Sequence, residues 1–302
     1  MKNKVKIALL GGDMRHYTTA CTLAKGAWEV RLWGVRPLRE GEPSVIFSKS
    51  CEEALADVSA VVLPLPSSSD GYCLHCPMIQ EEGPFYLHKL LEMIPQKAII
   101  VGGRLPHGFS VAAESRGIRV FDYFTLEDFQ IKNAYTTAEA ALSIAMNSLT
   151  REIRGAHVAV TGYGRIAKHL VRLLRYMEAD VTVAARKDAD LAWAALLGCH
   201  TLKLEDASAR AQIASKMSHG FDVIYNTVPS WLFDRDFLEQ VDKETFLIDL
   251  ASAPGGVDIC AAKELGSNVL WATSLPGKYA PVSAGEGIAA CVDKILSAEV
   301  AV

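Results

Sequence analysis

No stretch of this 302-residue sequence is apolar over the roughly 20 residues that a membrane-spanning helix needs. The first residues, Met-Lys-Asn-Lys-Val-Lys-Ile, lead into a short apolar run without the longer apolar core of a signal peptide, so we expect a cytoplasmic protein. Neither sign of charge predominates, because 31 Lys and Arg stand against 35 Asp and Glu. This balance gives no electrostatic basis for binding nucleic acid.

The cysteines and histidines also lack the spacing of a disulfide framework or a metal site. Seven cysteines are scattered along the chain, an odd number that is typical of reduced thiols. The segment Cys73-Leu-His-Cys76 resembles half of a metal or redox site. No second cysteine pair and no closely spaced histidine pair completes the ligand set of structural zinc. We therefore expect no metal and interpret this segment as a loop.

Apolar runs alternate with helical segments along the whole chain, which predicts parallel, doubly wound sheets. Half of the residues are hydrophobic, enough for two domains that each bury a core. The predicted strands lie near 5–10, 28–33, 60–63, 98–101, 119–123, 157–162, 180–185, 221–226, 245–250 and 268–271. The expected fold class is α/β, with two Rossmann-like domains, a long connecting helix and a cleft between the domains.

An Ala-rich stretch without Gly or Pro predicts the connecting helix at 136–154, with Thr136 and Glu139 as a capping box. Residues 1–135 then form an N-terminal substrate lobe, and residues 155–283 form a nucleotide-binding domain. A second capping box, Ser283 with Glu286, predicts the start of a last helix over 284–302 that packs back on the first lobe.

The most informative segment is a β-branched run at 158–161 followed by Gly162-Tyr-Gly-Arg-Ile-Ala167 and an amphipathic stretch. Strand, glycine turn and helix in this order are typical of a site for a dinucleotide pyrophosphate. Gly162 permits the tight turn, and Gly164 lets backbone N–H groups approach the phosphates. Ala167 is small enough for the helix to pack on the strand.

Arg186 and Lys187 end the next predicted strand, where an NAD site usually has an acidic residue for the ribose 2′-hydroxyl. Asp180 has that chemistry, but it begins the strand and should lie at the wrong end. Two cations suit a 2′-phosphate, so we expect NADP as the cofactor. Arg165 and Ile166, at the helix N-terminus, are further candidate cofactor contacts.

Loops after the later strands supply more candidates, because the carboxyl ends of parallel strands meet at one sheet edge. Thr227 and Pro229 follow one strand and Leu250 and Ala251 another, and we expect all four at the cofactor. Lys278 follows the last strand and is a candidate for the substrate.

The loops of the first lobe are rich in hydroxyls and cations. Asp13 and Arg15 follow the first strand, Ser67 and Ser68 a later one, and Arg104 another. Arginine forks match carboxylates, so this set predicts an anionic substrate.

For proton transfer the candidates are His16, Glu139 and Lys278, with His75 also near the predicted cleft. The sequence does not choose among them.

The loops together resemble those of a known family, the A subunit of dipicolinate synthase from spore-forming bacteria. The matching segments are Gly11-Gly-Asp-x-Arg15, Gly162-x-Gly-Arg165, Ala185-Arg186, Asn226-Thr-x-Pro-Ser230, Asp249-Leu-Ala-Ser252, Pro254-Gly-Gly256, Leu275-Pro-Gly277 and Ala280-Pro281. The resemblance covers nearly the whole chain. It departs from the family pattern at Ala253, where the family usually has Arg, and at Val282-Ser283, where it tends to Lys-Thr; Lys278 is a candidate substitute for those cations.

The resemblance implies an NADP-dependent oxidoreductase acting on a CH–CH donor, which oxidises dihydrodipicolinate or its hydrated precursor to dipicolinate during sporulation. It also implies a second, flavoprotein-like B subunit. Two alternatives stay open: a related two-lobed dehydrogenase for another small carboxylate, and a nucleotide-binding scaffold whose partner does the chemistry. The sequence also leaves open whether the chain forms a homo-oligomer.

Overall fold

Each strand predicted from an apolar run is present in the computed structural model, which describes residues 4–36, 44–79, 83–205 and 208–300. The elements of the first half are β1 (Val5–Leu10), α1 (Met14–Ala24), β2 (Trp28–Trp33), β3 (Val45–Phe47), α2 (Cys51–Leu55), β4 (Ala60–Val62), α3 (Leu87–Met93), β5 (Ile99–Gly102), α4 (His107–Ser115), β6 (Val120–Asp122) and α5 (Glu127–Ser148). Those of the second half are β7 (His157–Thr161), α6 (Arg165–Tyr176), β8 (Asp180–Ala185), α7 (Asp188–Leu196), β9 (His200–Lys203), α8 (Ala209–Met217), β10 (Val223–Asn226), α9 (Arg235–Gln240), β11 (Phe246–Asp249), α10 (Ile259–Leu265), β12 (Val269–Trp271), α11 (Leu275–Tyr279) and α12 (Pro281–Glu299).

The elements form two compact units, unit 1 (Met1–Asn133 with Ala280–Val302) and unit 2 (Ala134–Tyr279). The unit 1 sheet has the order β3-β2-β1-β4-β5-β6, and the unit 2 sheet has the order β12-β11-β10-β7-β8-β9. All pairings between these strands are parallel. If the strands of each unit are numbered along the chain from one to six, both sheets have the order 3-2-1-4-5-6, the unit 2 sheet being read from β9 to β12. The predicted α/β fold class with two doubly wound parallel sheets is therefore confirmed.

Both sheets are buried on both faces, as parallel sheets require. In β1, Ile7 and Leu9 pack into one core cluster, while Ala8 and Leu10 pack into another. This alternation follows from the period-2 geometry of a strand. Among the described residues, no helix has the length and apolarity needed to cross a membrane.

The sequence missed the edge strands β3 and β9. Each has only three or four residues and is partly exposed, and the residues of β9 are His-Thr-Leu-Lys. The polar side chains of β9 carry little of the apolar periodicity on which strand prediction depends, and β3, Val-Ile-Phe, is too short to show a period.

Both predicted capping boxes are wrong. Thr136 and Glu139 lie inside α5, which begins at Glu127 because Phe129 is already buried in the core of unit 1. The helix α12 begins at Pro281 after Ala280, so Ser283 and Glu286 lie inside the helix and no side chain caps it. Proline is favoured in the first turn because its missing N–H has no helical partner there.

A glycine lets α12 pack closely against α1 within unit 1. A Cβ on Gly285 would lie 2.5 Å from the backbone oxygen of Arg15 and 2.6 Å from Thr18 Cβ. Thr19 Oγ1 also donates a hydrogen bond to Gly285 O at 3.0 Å. The backbone of α12 therefore lies against α1 at this point, and any side chain would separate the two helices.

We expect Gly285→Ala to lower the free energy of unfolding by about 1–3 kcal/mol, because the added methyl group overpacks the α1–α12 contact. The matched control is Gly287→Ala in the same helix, where no atom lies within 4 Å of the Cβ position. That change should raise stability by up to about 1 kcal/mol through helix propensity. Urea unfolding of both variants measures the difference, and equal effects of the two substitutions would show that α12 does not pack as described.

Candidate functional site

Gly162 makes the turn between β7 and α6 and cannot be replaced without strain. Its φ of +84° lies in the left-handed region. A Cβ at this position would lie 2.7 Å from Thr227 Oγ1 and 2.8 Å from Val228 Cγ2. The turn thus brings the end of β7 against the loop that follows β10.

Gly164 is the N-cap of α6 and leaves the helix N-terminus uncovered. Its backbone is extended, and no atom lies within 4 Å of its Cβ position. A helix N-terminus carries a partial positive charge and N–H groups that suit an anion. Ala167, one turn later, is fully buried among the residues of the unit 2 core.

A pocket of about 680 Å³ opens at this turn, within unit 2. Six of the predicted cofactor residues line it: Gly162, Gly164, Arg186, Lys187, Thr227 and Pro229. The structure therefore brings together the glycine turn, the two cations that follow β8 and the loop after β10. Asp180 lies at the start of β8, beside His157 Nδ1 at 3.0 Å and His200 Nε2 at 3.2 Å, so the position predicted for it is confirmed.

Four predicted cofactor residues do not line this pocket. Arg165 is exposed and Ile166 half-buried in the first turn of α6. Leu250 and Ala251 are buried, and their backbone N–H groups bond to Asn226 O and to Asp249 Oδ1. Leu250 and Ala251 therefore hold the loop after β11 against the carboxyl edge of the sheet.

The pocket also contains residues that the sequence did not single out, among them Tyr163, Lys168 and Asp190. Lys168 lies on α6 one turn after Gly164, with Nζ 5.8 Å from the centre of the Tyr163 ring. Lys168 could have been predicted from the sequence, because residues four apart lie on the same face of a helix and Lys168 is four residues after Gly164. Asp190, in the first turn of α7, places a carboxylate among the cations.

A buried network of polar side chains joins the ends of three neighbouring strands in unit 2. Asn226 Oδ1 accepts a hydrogen bond from Thr161 Oγ1 at 2.6 Å, and Asn226 Nδ2 donates to Asp249 Oδ1 at 2.8 Å. Asp249 Oδ2 accepts from Gly256 N at 2.9 Å. The three side chains are fully buried. A Cβ at Gly256 would overlap Asn226 Nδ2, which explains the glycine.

In unit 1 the loop after β1 is closed by an ion pair. Asp13 caps α1 by accepting from Arg15 N at 2.9 Å, and its Oδ2 lies 2.7 Å from Arg15 Nη2. Burial by itself raises the pKa of Asp13, but the hydrogen bonds and charge of Arg15 outweigh it and hold that pKa below its usual value. Arg15 is 7% exposed and bound through Nε and Nη2 to Asp13, so two of its guanidinium nitrogens are already engaged in the ion pair.

The other predicted substrate residues differ in their exposure. Ser67 is fully buried and donates to Arg104 O at 3.2 Å, so its hydroxyl serves the fold. Ser68 donates to Asp70 Oδ1 at 3.0 Å in a turn. Arg104 is exposed, with its guanidinium 5.5 Å from the centre of the Phe124 ring. Lys278, in unit 2, is also exposed.

His16 is not placed for proton transfer, contrary to the prediction. It is 1% exposed, with Nε2 3.3 Å from Val62 O and no hydrogen-bond partner for Nδ1 among the described residues. Burial lowers its pKa to about 4 because the charged imidazolium is poorly solvated there. Glu139, another candidate, is exposed on α5. His75 is half-buried and close enough to Asp13 and Arg15 for their charges to act on it.

The cysteine motif is a loop in the structure. Cys76 Sγ lies 3.3 Å from Gly34 O, and Asp70 Oδ1 accepts a hydrogen bond from Cys73 N at 2.8 Å. Within the part of the chain that the structure describes, no three His, Cys, Asp or Glu side chains cluster as metal ligands.

Buried His16 should make unit 1 sensitive to acid. Its pKa is about 4 in the folded protein and about 6.5 when unfolded. Its contribution to the free energy of unfolding is therefore full above pH 6.5 and is lost as the pH falls toward 4. Between pH 7.5 and 4.5 we expect a loss of about 2–3 kcal/mol from this group. Urea unfolding of wild type and His16→Gln over this range measures it. Parallel stability curves would contradict the assignment.

Comparison with known proteins points to one family. The family model that describes the N-terminal domain of the dipicolinate synthase A subunit matches residues 6–124. The A subunit of dipicolinate synthase from Bacillus subtilis (strain 168) is 26% identical over 299 residues, which are 98% of this chain and 97% of that protein.

Solved structures give the same result for the fold. The crystal structure of the dipicolinate synthase A subunit from Bacillus halodurans has a TM-score of 0.83 at 26% identity, covering 97% of this chain and 98% of that one. The transhydrogenase from Sinorhizobium meliloti has a TM-score of 0.64 at 15% identity, covering 98% and 94%, a likeness of fold. This chain thus matches the model of the N-terminal domain of the dipicolinate synthase A subunit over residues 6–124, and it is similar to A subunits from two Bacillus species along almost its entire length.

Proposed function

We propose that this chain is an NADP-dependent oxidoreductase that converts dihydrodipicolinate, or its hydrated precursor, to dipicolinate. The observation that carries the proposal is the pocket of unit 2, where Gly162 and Gly164 meet Arg186 and Lys187. The similarity to the A subunit of dipicolinate synthase supplies the substrate class.

The pocket residues fit a dinucleotide by their chemistry. The open helix N-terminus at Gly164 accepts the pyrophosphate, and the space above its Cα lets the phosphate approach the backbone. Arg186 and Lys187 then provide two cations for a ribose 2′-phosphate. Asp190 in the same pocket is suited to a ribose hydroxyl as acceptor and would repel a phosphate placed beside it.

The cofactor supplies the hydride acceptor when it is bound. The chain's own residues bind it and hold its position: Thr227 and Pro229 lie on the wall of the pocket after β10. Thr227 is fixed by its hydroxyl, which donates to Thr161 O at 2.8 Å. Orientation is a large part of catalysis for a reaction that forms an aromatic ring.

Unit 1 supplies cations for a dicarboxylate. Arg104 is exposed at the loop after β5. Arg15 binds Asp13 through Nε and Nη2, while its Nη1 makes no hydrogen bond among the residues that the structure describes. A substrate carboxylate can therefore bind at Nη1 without breaking the ion pair. Lys278 of unit 2 is a further candidate anchor.

The chain also works with a second subunit in this proposal. The similar proteins of Bacillus subtilis and Bacillus halodurans are named as the A subunit of dipicolinate synthase. We propose a flavoprotein-like B subunit of the same synthase as the partner.

A methyl group on Gly164 should block the nucleotide without disturbing the fold. Gly164→Ala places its Cβ in open space at the helix N-terminus, so stability should change by less than about 0.5 kcal/mol. The dissociation constant for NADPH should rise by about 10-fold or more, because the methyl group occupies the phosphate position. Isothermal titration calorimetry and urea unfolding measure the two effects.

Gly162→Ala is the matched control, since its Cβ meets Thr227 and its φ is left-handed. It should lower stability by about 1–3 kcal/mol. If Gly164→Ala bound NADPH as tightly as wild type, the pyrophosphate would not lie at this turn.

Arg186→Ala tests the choice between the two nicotinamide nucleotides. Loss of a charge-assisted bond to the 2′-phosphate should weaken NADPH binding by about 10- to 100-fold, whereas NADH binding should change little. Arg172→Ala is the control, because Arg172 is exposed on α6 outside the pocket and bonds to Tyr176. Tighter binding of NADH than of NADPH, with a ratio that Arg186→Ala leaves unchanged, would refute NADP as the cofactor.

A further inference from the structure

His75 is held at the carboxyl edge of the unit 1 sheet by its own backbone. Its carbonyl accepts a hydrogen bond from Gly12 N at 2.7 Å, and its N–H donates to Ser67 O at 2.9 Å. Gly12 follows β1, and Ser67 follows the neighbouring strand β4. His75 thus joins the two loops from which substrate groups were expected.

The side chain of His75 is oriented by a serine. Its Nδ1 lies 2.9 Å from Ser69 Oγ, and the ring is half-buried in the wall of a pocket of about 440 Å³ within unit 1. If Nδ1 carries the proton and donates it to Ser69, the other nitrogen, Nε2, keeps its lone pair. A histidine in this state is ready to accept a proton at Nε2.

Burial keeps His75 in that neutral state. Burial lowers its pKa most; Asp13 opposes this effect and Arg15 adds to it, both from the start of α1. Asp70, Cys73 and Cys76 line the same pocket. The imidazole is therefore mainly unprotonated at pH 7, as a general base must be.

The other seven histidines are placed differently. His16 is buried in the core of unit 1. His157, His200 and His219 lie beside exposed carboxylates of unit 2. The remaining three are His88 against Tyr86, His107 at the start of α4 and His169 against Tyr135. Among these described histidines, His75 alone combines partial access with a position next to Asp13 and Arg15.

We propose that His75 is the general base of the oxidation, with Ser69 as the residue that positions it; this rests on the proposed function. One ring hydrogen of the substrate leaves with its bonding electrons as hydride to NADP⁺. Another leaves as a proton to His75 Nε2, and the electron pair of that bond completes the aromatic ring. The products are dipicolinate, NADPH and an imidazolium that returns its proton to water.

The test compares kcat/KM of wild type, His75→Asn and Ser69→Ala across pH, with the second subunit present where turnover requires it. The wild-type rate should fall at low pH with an apparent pKa below 6.5, as His75 becomes protonated. His75→Asn should lower kcat about 10²- to 10⁴-fold, abolish this acid limb and leave NADPH binding unchanged. Added imidazole should restore part of the rate. Ser69→Ala should keep the acid limb of the pH profile but shift its apparent pKa.

His88→Asn is the control, since His88 is exposed on α3 of the same unit; its rate and pH profile should match wild type. If wild type is active and His75→Asn keeps both its rate and its acid limb, the assignment of the base is overturned and the proposed function stands. If wild type forms no dipicolinate with NADP and the second subunit, the proposed function fails and the base assignment with it.

Discussion

The hydrogen bond between Asn226 and Asp249, with those that join them to Thr161 and Gly256, holds the carboxyl edge of the unit 2 sheet in a single arrangement. Both side chains are fully buried and satisfied by one another, by Thr161 and by backbone N–H groups. Removal of either partner would leave a buried polar group unsatisfied, at a cost of about 1–3 kcal/mol. The loop that carries Thr227 and Pro229 begins directly after Asn226, so the same bonds fix one wall of the unit 2 pocket.

The two units share one sheet order but differ at the turn after their first strands. In unit 2 the cap of α6 is Gly164, which has no side chain and leaves the helix N-terminus open. In unit 1 the cap of α1 is Asp13, whose carboxylate already occupies that position and repels a phosphate. The same topology therefore leaves the helix N-terminus open in one unit and covers it with a carboxylate in the other. This single difference is the clearest physical reason for the division of roles in the proposed function.

The sequence predicted the fold and the glycine turn between β7 and α6 because both depend on local patterns. Gly162 and Gly164 follow a β-branched run directly, and apolar residues predominate in each central strand. The edge strand β9 lacks that pattern and β3 has only three residues. The start of α5 depends on the burial of Phe129, which is a tertiary contact. The substrate groups were harder to predict for a similar reason. Arg15 and Ser67 have the right chemistry, but their pairing with Asp13 and with Arg104 O depends on the folded loops. His75 became distinguishable from His16 only through burial and through Ser69.

The central claim is that this chain transfers a hydride from dihydrodipicolinate to NADP. The most direct measurement mixes the purified chain with freshly generated dihydrodipicolinate and NADP⁺, with and without the second subunit, and follows NADPH and dipicolinate together. The account predicts that NADPH and dipicolinate form in equal amounts whenever this chain turns over the substrate. Dipicolinate that forms without NADPH, and only when the second subunit is present, would contradict it and would favour a nucleotide-binding scaffold.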